Sequence, residues 1–166
     1  PVEVLEIRFP VVVERFELNV EDGVGHGKYR GGFGMVKDYR ILSDDAILTT
    51  DINRSKFPPW SVAGGQNGTL NYLAVIRDGK EIMKVSRLMN YKLKKNDIVS
   101  IRTAGGGGWG HPHERDPSLV ADDVRKGLAT IAQARDIYGV VVNPETLDID
   151  LEATHRLRSI KATDKS

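Results

Sequence analysis

Four consecutive glycines, Gly105-Gly106-Gly107-Gly108, constrain this chain more than any other feature; they sit between Ala104 and Trp109-Gly110-His111-Pro112-His113. Glycine gives up the most backbone freedom on folding, so an ordered run of four is costly. A folded chain keeps such a run where the backbone must take positive φ or approach something closely. A second cluster, Val62-Ala63-Gly64-Gly65-Gln66-Asn67-Gly68, follows Arg54-Ser55-Lys56-Phe57-Pro58-Pro59-Trp60, and a third runs from Gly23 to Gly34. These three clusters hold most of the glycines, and they predict a rigid β scaffold carrying several special loops.

At 166 residues the chain fits one domain, or one domain with a tail. Its 24 basic and 23 acidic residues leave a net charge of +1. That balance gives no electrostatic case for nucleic acid or for an anionic membrane surface. No apolar run approaches the roughly 20 residues that span a bilayer. Glu3 and Glu6 do not suit a signal peptide. The absence of cysteine removes disulfides and thiolate metal sites and fits a cytoplasmic protein. Pro1–Arg8 reads as a strand with no lead-in, which suggests a piece of a longer polypeptide; an edge strand at a natural start is the alternative.

Arg15-Phe16-Glu17-Leu18-Asn19-Val20 alternates polar and apolar, the half-buried strand pattern. Met35–Leu42 and Ala46–Ile52 are further strands, separated by Ser43-Asp44-Asp45. Tyr72–Ile76 and Glu81–Val85 flank Arg77-Asp78-Gly79-Lys80, where Asp-Gly predicts a type I′ hairpin. Lys94-Lys95-Asn96-Asp97 is a polar turn before a strand at Ile98–Ile101. From Asp116-Pro117, an N-cap followed by proline at the first helical position, the pattern turns helical. Leu119, Val120, Val124 and Leu128 form its apolar stripe, and Gly127 can end the helix. Thr130-Ile131-Ala132-Gln133 is a capping box for a second helix ending at Tyr138-Gly139. Val140-Val141-Val142 is a short buried strand or extended segment. Asp150 caps a last helix carrying Leu151, Leu157 and Ile160, with Lys161–Ser166 frayed. The expected fold is α+β: a β-rich barrel- or sandwich-like body over residues 1–115 and a small helical C-terminal segment over 116–166.

Several constellations bear on chemistry. Consecutive amides at Gly105–Gly108 can form an anion-binding concavity for a phosphate or developing oxyanion, or serve tight packing with Trp109 over glycine backbone. The run lacks the lysine and Ser/Thr of a P-loop, so nucleotide binding of that type is rejected. Arg54, beside Trp60 and the Gly64-Gly65 turn, suits an oxyanion or phosphate clamp; a surface arginine with Trp60 buried under the loop is the alternative. The substrate- or anion-binding candidates are therefore Arg54, Trp60, Gly64, Gly65, Gly105, Gly106, Gly107 and Gly108. His111 and His113 could share a cation if extended, but lack a third ligand, so no metal site is assigned. His26 and His155 read as surface or structural. Asp44-Asp45 and Asp122-Asp123 read as a turn and a solvated helix face. The helices around Gly127–Thr130 resemble a helix-turn-helix only superficially, with Gln133 and Arg135 as reading groups.

Taken together, the residues resemble the C-terminal part of the hydantoinase B/oxoprolinase family. The resemblance rests on Pro1-Val2-Glu3-Val4-Leu5-Glu6, Gly27-Lys28-Tyr29-Arg30-Gly31-Gly32-Phe33-Gly34, and Arg54–Trp60 with Gly64-Gly65. Gly105–Gly110 with Pro112, Glu114-Arg115-Asp116-Pro117, Asp123–Gly127 and Tyr138–Val141 complete it. His111 stands where the family often has Asp, and Lys37 where it often has Arg.

The resemblance implies the B subunit of an ATP-dependent N-methylhydantoinase or 5-oxoprolinase type of amidohydrolase. A hydantoinase A-type ATPase partner, using ATP and Mg, would phosphorylate the carbonyl oxygen of a small cyclic amide, and the B subunit would handle the activated species. The related ketone carboxylases imply an alternative reaction, and a non-catalytic assembly module is another. Family B subunits are several times longer. Their divalent metal is expected in an N-terminal part absent here, so no cofactor and no catalytic residue is assigned to this chain, which is expected to be inactive without the remainder of the subunit.

Overall fold

A computed structural model describes the backbone of residues 1–163 and the side chains of residues 1–159. The chain forms two compact units, each assembled from separated stretches: Pro1–Gly23, Phe33–Pro59 and Thr69–Gly105 in the first, and Val24–Gly32, Trp60–Gly68 and Gly106 onward in the second.

The first unit carries α1 (Val2–Arg8) and seven strands: β1 (Val11–Leu18), β2 (Met35–Ile41), β3 (Ile47–Asp51), β4 (Tyr72–Arg77), β5 (Lys80–Val85), β6 (Arg87–Lys92) and β7 (Ile98–Arg102). Five pair antiparallel in the order β1-β2-β7-β4-β5, and β3 pairs with β6 in a separate ribbon. Leu73 and Val75 of β4, Val99 of β7, Ile41 and Leu93 form the buried cluster, with Leu48 and Tyr91 of the ribbon packed against it. Asp78 and Gly79 take φ of 50° and 74°, as the type I′ turn requires. Asp97 fixes the turn before β7: Lys94 N donates to its Oδ2 at 2.8 Å, and Arg77 donates to both carboxylate oxygens at 2.7 Å.

Two strand expectations are corrected here. Pro1–Arg8 contains a helix rather than a strand. Alternation breaks at Val4-Leu5, whereas Val2 and Leu5, half-buried, fall three apart on one helical face. Glu3 in the first turn and Arg8 in the last also suit the helix dipole. In β1 the alternation reads correctly as a strand, but its apolar face points outward: Phe16 and Leu18 are exposed. The register slips between Val13 and Arg15, leaving Glu14 as an inserted residue, and one extra residue turns every later side chain to the opposite face. Half-buried Arg15 then reaches Asp38 at 2.9 Å. Strand β6, bent at Asn90 (φ 53°), has no clear signature in the sequence.

The second unit carries a 3₁₀ turn (Pro112–Glu114), α2 (Pro117–Arg125), α3 (Ile131–Asp136) and α4 (Leu151–Thr163). The caps are as the sequence predicts. Asp116 accepts from Ser118 N at 2.8 Å, and Thr130 and Gln133 close the capping box at 3.0 and 2.9 Å. Gly127 turns out of α2 with φ 68°, and Asp150 accepts from Ala153 N at 2.9 Å. Val120, Ala121, Ala134, Tyr138, Val140 and Val142 form this unit's apolar cluster. Leu119 and Leu151 are exposed, so Val120 and Ala121, not Leu119, fill the inner face of α2. Helix α4 continues to Thr163, past the expected fraying point at Lys161; the Ile160 side chain and residues 164–166 lie outside the described residues. Antiparallel sheets with a helical C-terminal part constitute the expected α+β class. Among the described residues, no helix is long and apolar enough to cross a membrane.

Candidate functional site

The second unit brings the three glycine clusters together by their main chains. Tyr29 and Trp109 exchange backbone hydrogen bonds at 3.0 and 2.9 Å, and Val62 N donates to Gly108 O at 3.1 Å. Gly25 N donates to Gly106 O, Gly106 N to Gly32 O and Gly108 N to Gln66 O, all at 2.8 to 2.9 Å. A Cβ on Gly31 would meet the Gly106 carbonyl, on Gly107 the Trp60 carbonyl, and on Gly108 the His26 carbonyl. The close-approach reason for glycine thus applies at these positions, with backbone as the neighbour. Gly65 N donates to Val62 O at 3.1 Å, and within the first unit Gly105 N donates to Thr69 Oγ1 at 2.7 Å. The amides of Gly65, Gly105, Gly106 and Gly108 therefore all have protein acceptors. Trp60, 72% exposed, is not buried beneath its loop, and Tyr29, Val62 and Trp109 also present apolar surface.

The same unit contains a buried ionic cluster that the sequence reading missed. Asp123, expected on a solvated helix face, is 5% exposed. Arg30 grips both of its oxygens at 3.0 Å, and Arg115 reaches Oδ2 at 2.9 Å. Arg115 also donates to Lys28 O at 3.2 Å, while its buried Nε has no partner. The Asp123 hydrogen bond raises the Arg30 pKa. His26 Nδ1 lies 2.8 Å from the Tyr138 hydroxyl. Burial, then the charges of Arg115 and Arg30, lower the His26 pKa, and burial pushes Tyr138 up to about 12. His26 is accordingly a structural histidine held neutral, in keeping with its reading from sequence. Asp123 carries the single visible clue: it lies four residues before Gly127 on a helix whose neighbour Asp122 pairs outward with Lys126 at 2.6 Å.

His111 and His113 do not alternate along an extended strand. His111 caps the 3₁₀ turn, accepting from His113 N at 3.2 Å, with the two rings edge to face at 5.0 Å. Among the described residues no group of three or more His, Cys, Asp or Glu is placed to hold a metal.

Arg54 lies in the first unit, beside a different cavity. Its φ of 55° is strained for a non-glycine residue, and Asn71 clamps the turn by donating to Arg54 O and Asn53 O at 3.1 and 2.8 Å. Ser55 lines a pocket of about 360 Å³ with Asp22, Thr69, Tyr72, Lys84 and Ser86. Fully buried Asn19 donates to Asp22 Oδ2 at 2.7 Å, and the Tyr72 hydroxyl donates to Oδ1 at 3.1 Å. Lys84 Nζ lies 3.6 Å above the Tyr72 ring. Burial, reinforced by the Asp22 charge, pushes Tyr72 up to about 12, so its hydroxyl remains a donor. None of these residues stood out in the sequence; the Asn19-x-x-Asp22 spacing, suited to a side-chain-closed turn, is the signal that could have found them.

Comparison with known proteins gives the broader setting. A family model described as Hydantoinase B/oxoprolinase matches residues 1–112. An uncharacterized protein of Methanocaldococcus jannaschii is 39% identical over 162 residues, 96% of this chain and 28% of its own. The B subunit of a putative D-/L-hydantoinase of Pseudomonas sp. (strain NS671) is 32% identical over 163 residues, 96% of this chain and 27% of its own. The crystal structure of the ATP-dependent caprolactamase from Pseudomonas jessenii aligns with a TM-score of 0.81 at 31% identity, covering 96% of this chain and 28% of that one. The chain spans little more than a quarter of the length of these relatives. The expected family, inferred from the glycine clusters and the segments around them, is therefore the observed one: the chain belongs to the hydantoinase B/oxoprolinase family.

Proposed function

We propose that this chain is part of the B subunit of an ATP-dependent hydrolase of cyclic amides. The carrying observation is the family match, together with relatives named as a hydantoinase subunit and a caprolactamase that align over nearly the whole chain. A lactam carbonyl is a poor electrophile. Transfer of the γ-phosphoryl group of ATP to its oxygen creates a leaving group. Water then adds to the carbon, the C–N bond breaks with the nitrogen taking a proton, and a second water displaces phosphate from the resulting acyl phosphate to leave the carboxylate. In this reading an A-type ATPase subunit supplies the phosphoryl group. The residues present here do not fit a nucleotide site: no P-loop lysine follows the glycine run, and the amides of Gly105, Gly106 and Gly108 already have acceptors.

This chain's own contribution is then to shape and shield. Gly65, Gly107 and Gly108 let the backbone approach closely, Gly105 and Gly106 are tied down through their amides, and Trp60 and Gly64 offer exposed surface. We assign Trp60 and Gly64 in the second unit, and Arg54 in the first, as separate candidates for contact with substrate or its activated form. Ketone carboxylation is not favoured, because the relatives named for a reaction and at least 30% identical over nearly the whole chain act on hydantoins or caprolactam by their names.

The test is reconstitution with the remaining B-subunit sequence, an A-type ATPase, ATP and a divalent metal. ADP release coupled to opening of a hydantoin, 5-oxoproline or caprolactam is expected. No ring opening with any of them overturns the hydrolase reading, and bicarbonate-dependent consumption of a ketone selects the carboxylase. Trp60→Ala, at an exposed position, separates a site from an assembly module: an intact complex with lost turnover favours the site, and a lost complex favours assembly.

A further inference from the structure

The pocket around Asp22 is built in a way that the proposed function does not use. Its roughly 360 Å³ falls within the size range of small-molecule sites, about 300–1,000 Å³. Its carboxylate is aimed rather than merely present. Asn19, wholly buried, donates to Asp22 Oδ2 at 2.7 Å and to Thr103 O at 3.3 Å, and its Oδ1 accepts from Asp22 N at 3.3 Å. Tyr72 donates to the other oxygen. Each Asp22 oxygen keeps a spare lone pair for a further donor.

Opposite in charge, and on the same pocket lining, is Lys84. Its ammonium lies over the Tyr72 ring at 3.6 Å, a contact that leaves its N–H donors available. Ser55 and Ser86 add hydroxyls to the same lining. The strained turn at Arg54 immediately precedes Ser55, and backbone strain of this kind concentrates at ligand sites. The pocket thus presents one fixed negative group, one positive group and no net charge. A simple anion or cation would meet only half of it, whereas a dipolar molecule would meet both.

We propose that this pocket binds a small molecule bearing a carboxylate and an N–H group, with the carboxylate toward Lys84 and the serine hydroxyls and the N–H on Asp22. Opening a lactam gives a carboxylate and an amine; opening a hydantoin gives a carboxylate and a ureido N–H. The ligand class is therefore that of the ring-opened products, and this identification of its source rests on the cyclic-amide reading above. The intact rings have no carboxylate for Lys84 and bind more weakly.

The test is NMR titration of the 166-residue chain with 6-aminohexanoate and N-carbamoylglycine, alongside caprolactam and hydantoin. Shifts confined to residues around Asp22, Tyr72 and Lys84 are expected with the open-chain acids, at least tenfold stronger than with the rings. Lys84→Met, at an exposed position, weakens binding about tenfold; Asp22→Asn does the same, and Tyr72→Phe about threefold. The proposal is overturned if neither acid binds at millimolar concentration, if rings and acids bind alike, or if Lys84→Met binds as wild type. Binding by this chain, with no lactam turnover in the reconstituted enzyme, would keep the pocket and discard the hydrolase reading. Turnover without binding here would do the reverse.

Discussion

The two units hold themselves together by different means. In the first, side chains dominate: Leu73, Val75, Val99, Ile41 and Leu93 interlock between strands, and glycine serves the tight turn at Gly79 and one close backbone approach, Gly34 against the Thr103 carbonyl. In the second, alongside a helical apolar cluster, main chain meets main chain, and glycines at 31, 107 and 108 are spacers whose missing Cβ lets another carbonyl approach. Its polar interior also differs. The first unit buries Asp97 against a single arginine, Arg77; the second buries Asp123 against two, Arg30 and Arg115. A side-chain core tolerates exchange of one apolar shape for another at modest cost. A backbone junction tolerates no added atom.

The sharpest way to break this contrast is to add that atom. Gly107→Ala places a Cβ against the Trp60 carbonyl and should destabilise the second unit by more than about 3 kcal/mol in thermal or urea unfolding. Gly32→Ala, one of the sites with open space, should be nearly neutral. Equal stability of the two variants would refute the spacer role. Next is Asp123→Asn, which strips a buried carboxylate from two arginines and should cost roughly 3–5 kcal/mol.

A smaller effect separates the units by pH. His26 is held neutral in the fold, so its pKa lies below that of the unfolded chain. The unfolded chain then takes up the extra proton as pH falls through about 6.5, and the second unit loses stability there. His26→Gln should flatten that slope. In the first unit Asp97 is held below its usual range by the Arg77 hydrogen bonds, so its contribution persists until pH falls under about 4. Smallest is Gly79→Ala, about 1 kcal/mol from forcing a side chain to positive φ, read as a lowered midpoint in the first unit.

Local chemistry was the legible part of the sequence. Asp78-Gly79, Asp116-Pro117, the Thr130–Gln133 box and Asp150 each declare a turn or cap through groups adjacent in the chain. Long-range facts were hidden. One inserted residue at Glu14 reversed the face of β1, and the alternation of Phe16 and Leu18 gave no warning. Asp123 looks like any helix-surface acid until Arg30 and Arg115 arrive from elsewhere in the sequence. The glycine clusters announced themselves by composition, but composition does not distinguish an amide offered to a ligand from one already bonded to Gly32 or Gln66. The Asp22 pocket draws on residues more than sixty positions apart, each unexceptional alone.

The chain passes back and forth between its units, leaving the first after Gly23, Pro59 and Gly105 and re-entering it at Phe33 and Thr69. Neither half can be excised as a contiguous piece of gene. A nonsense codon near position 105 would spare every strand of the sheet yet leave two short glycine-bearing peptides without the segment they clasp, so a loss confined to the C-terminal third should strand pieces of the second unit inside an otherwise whole first one.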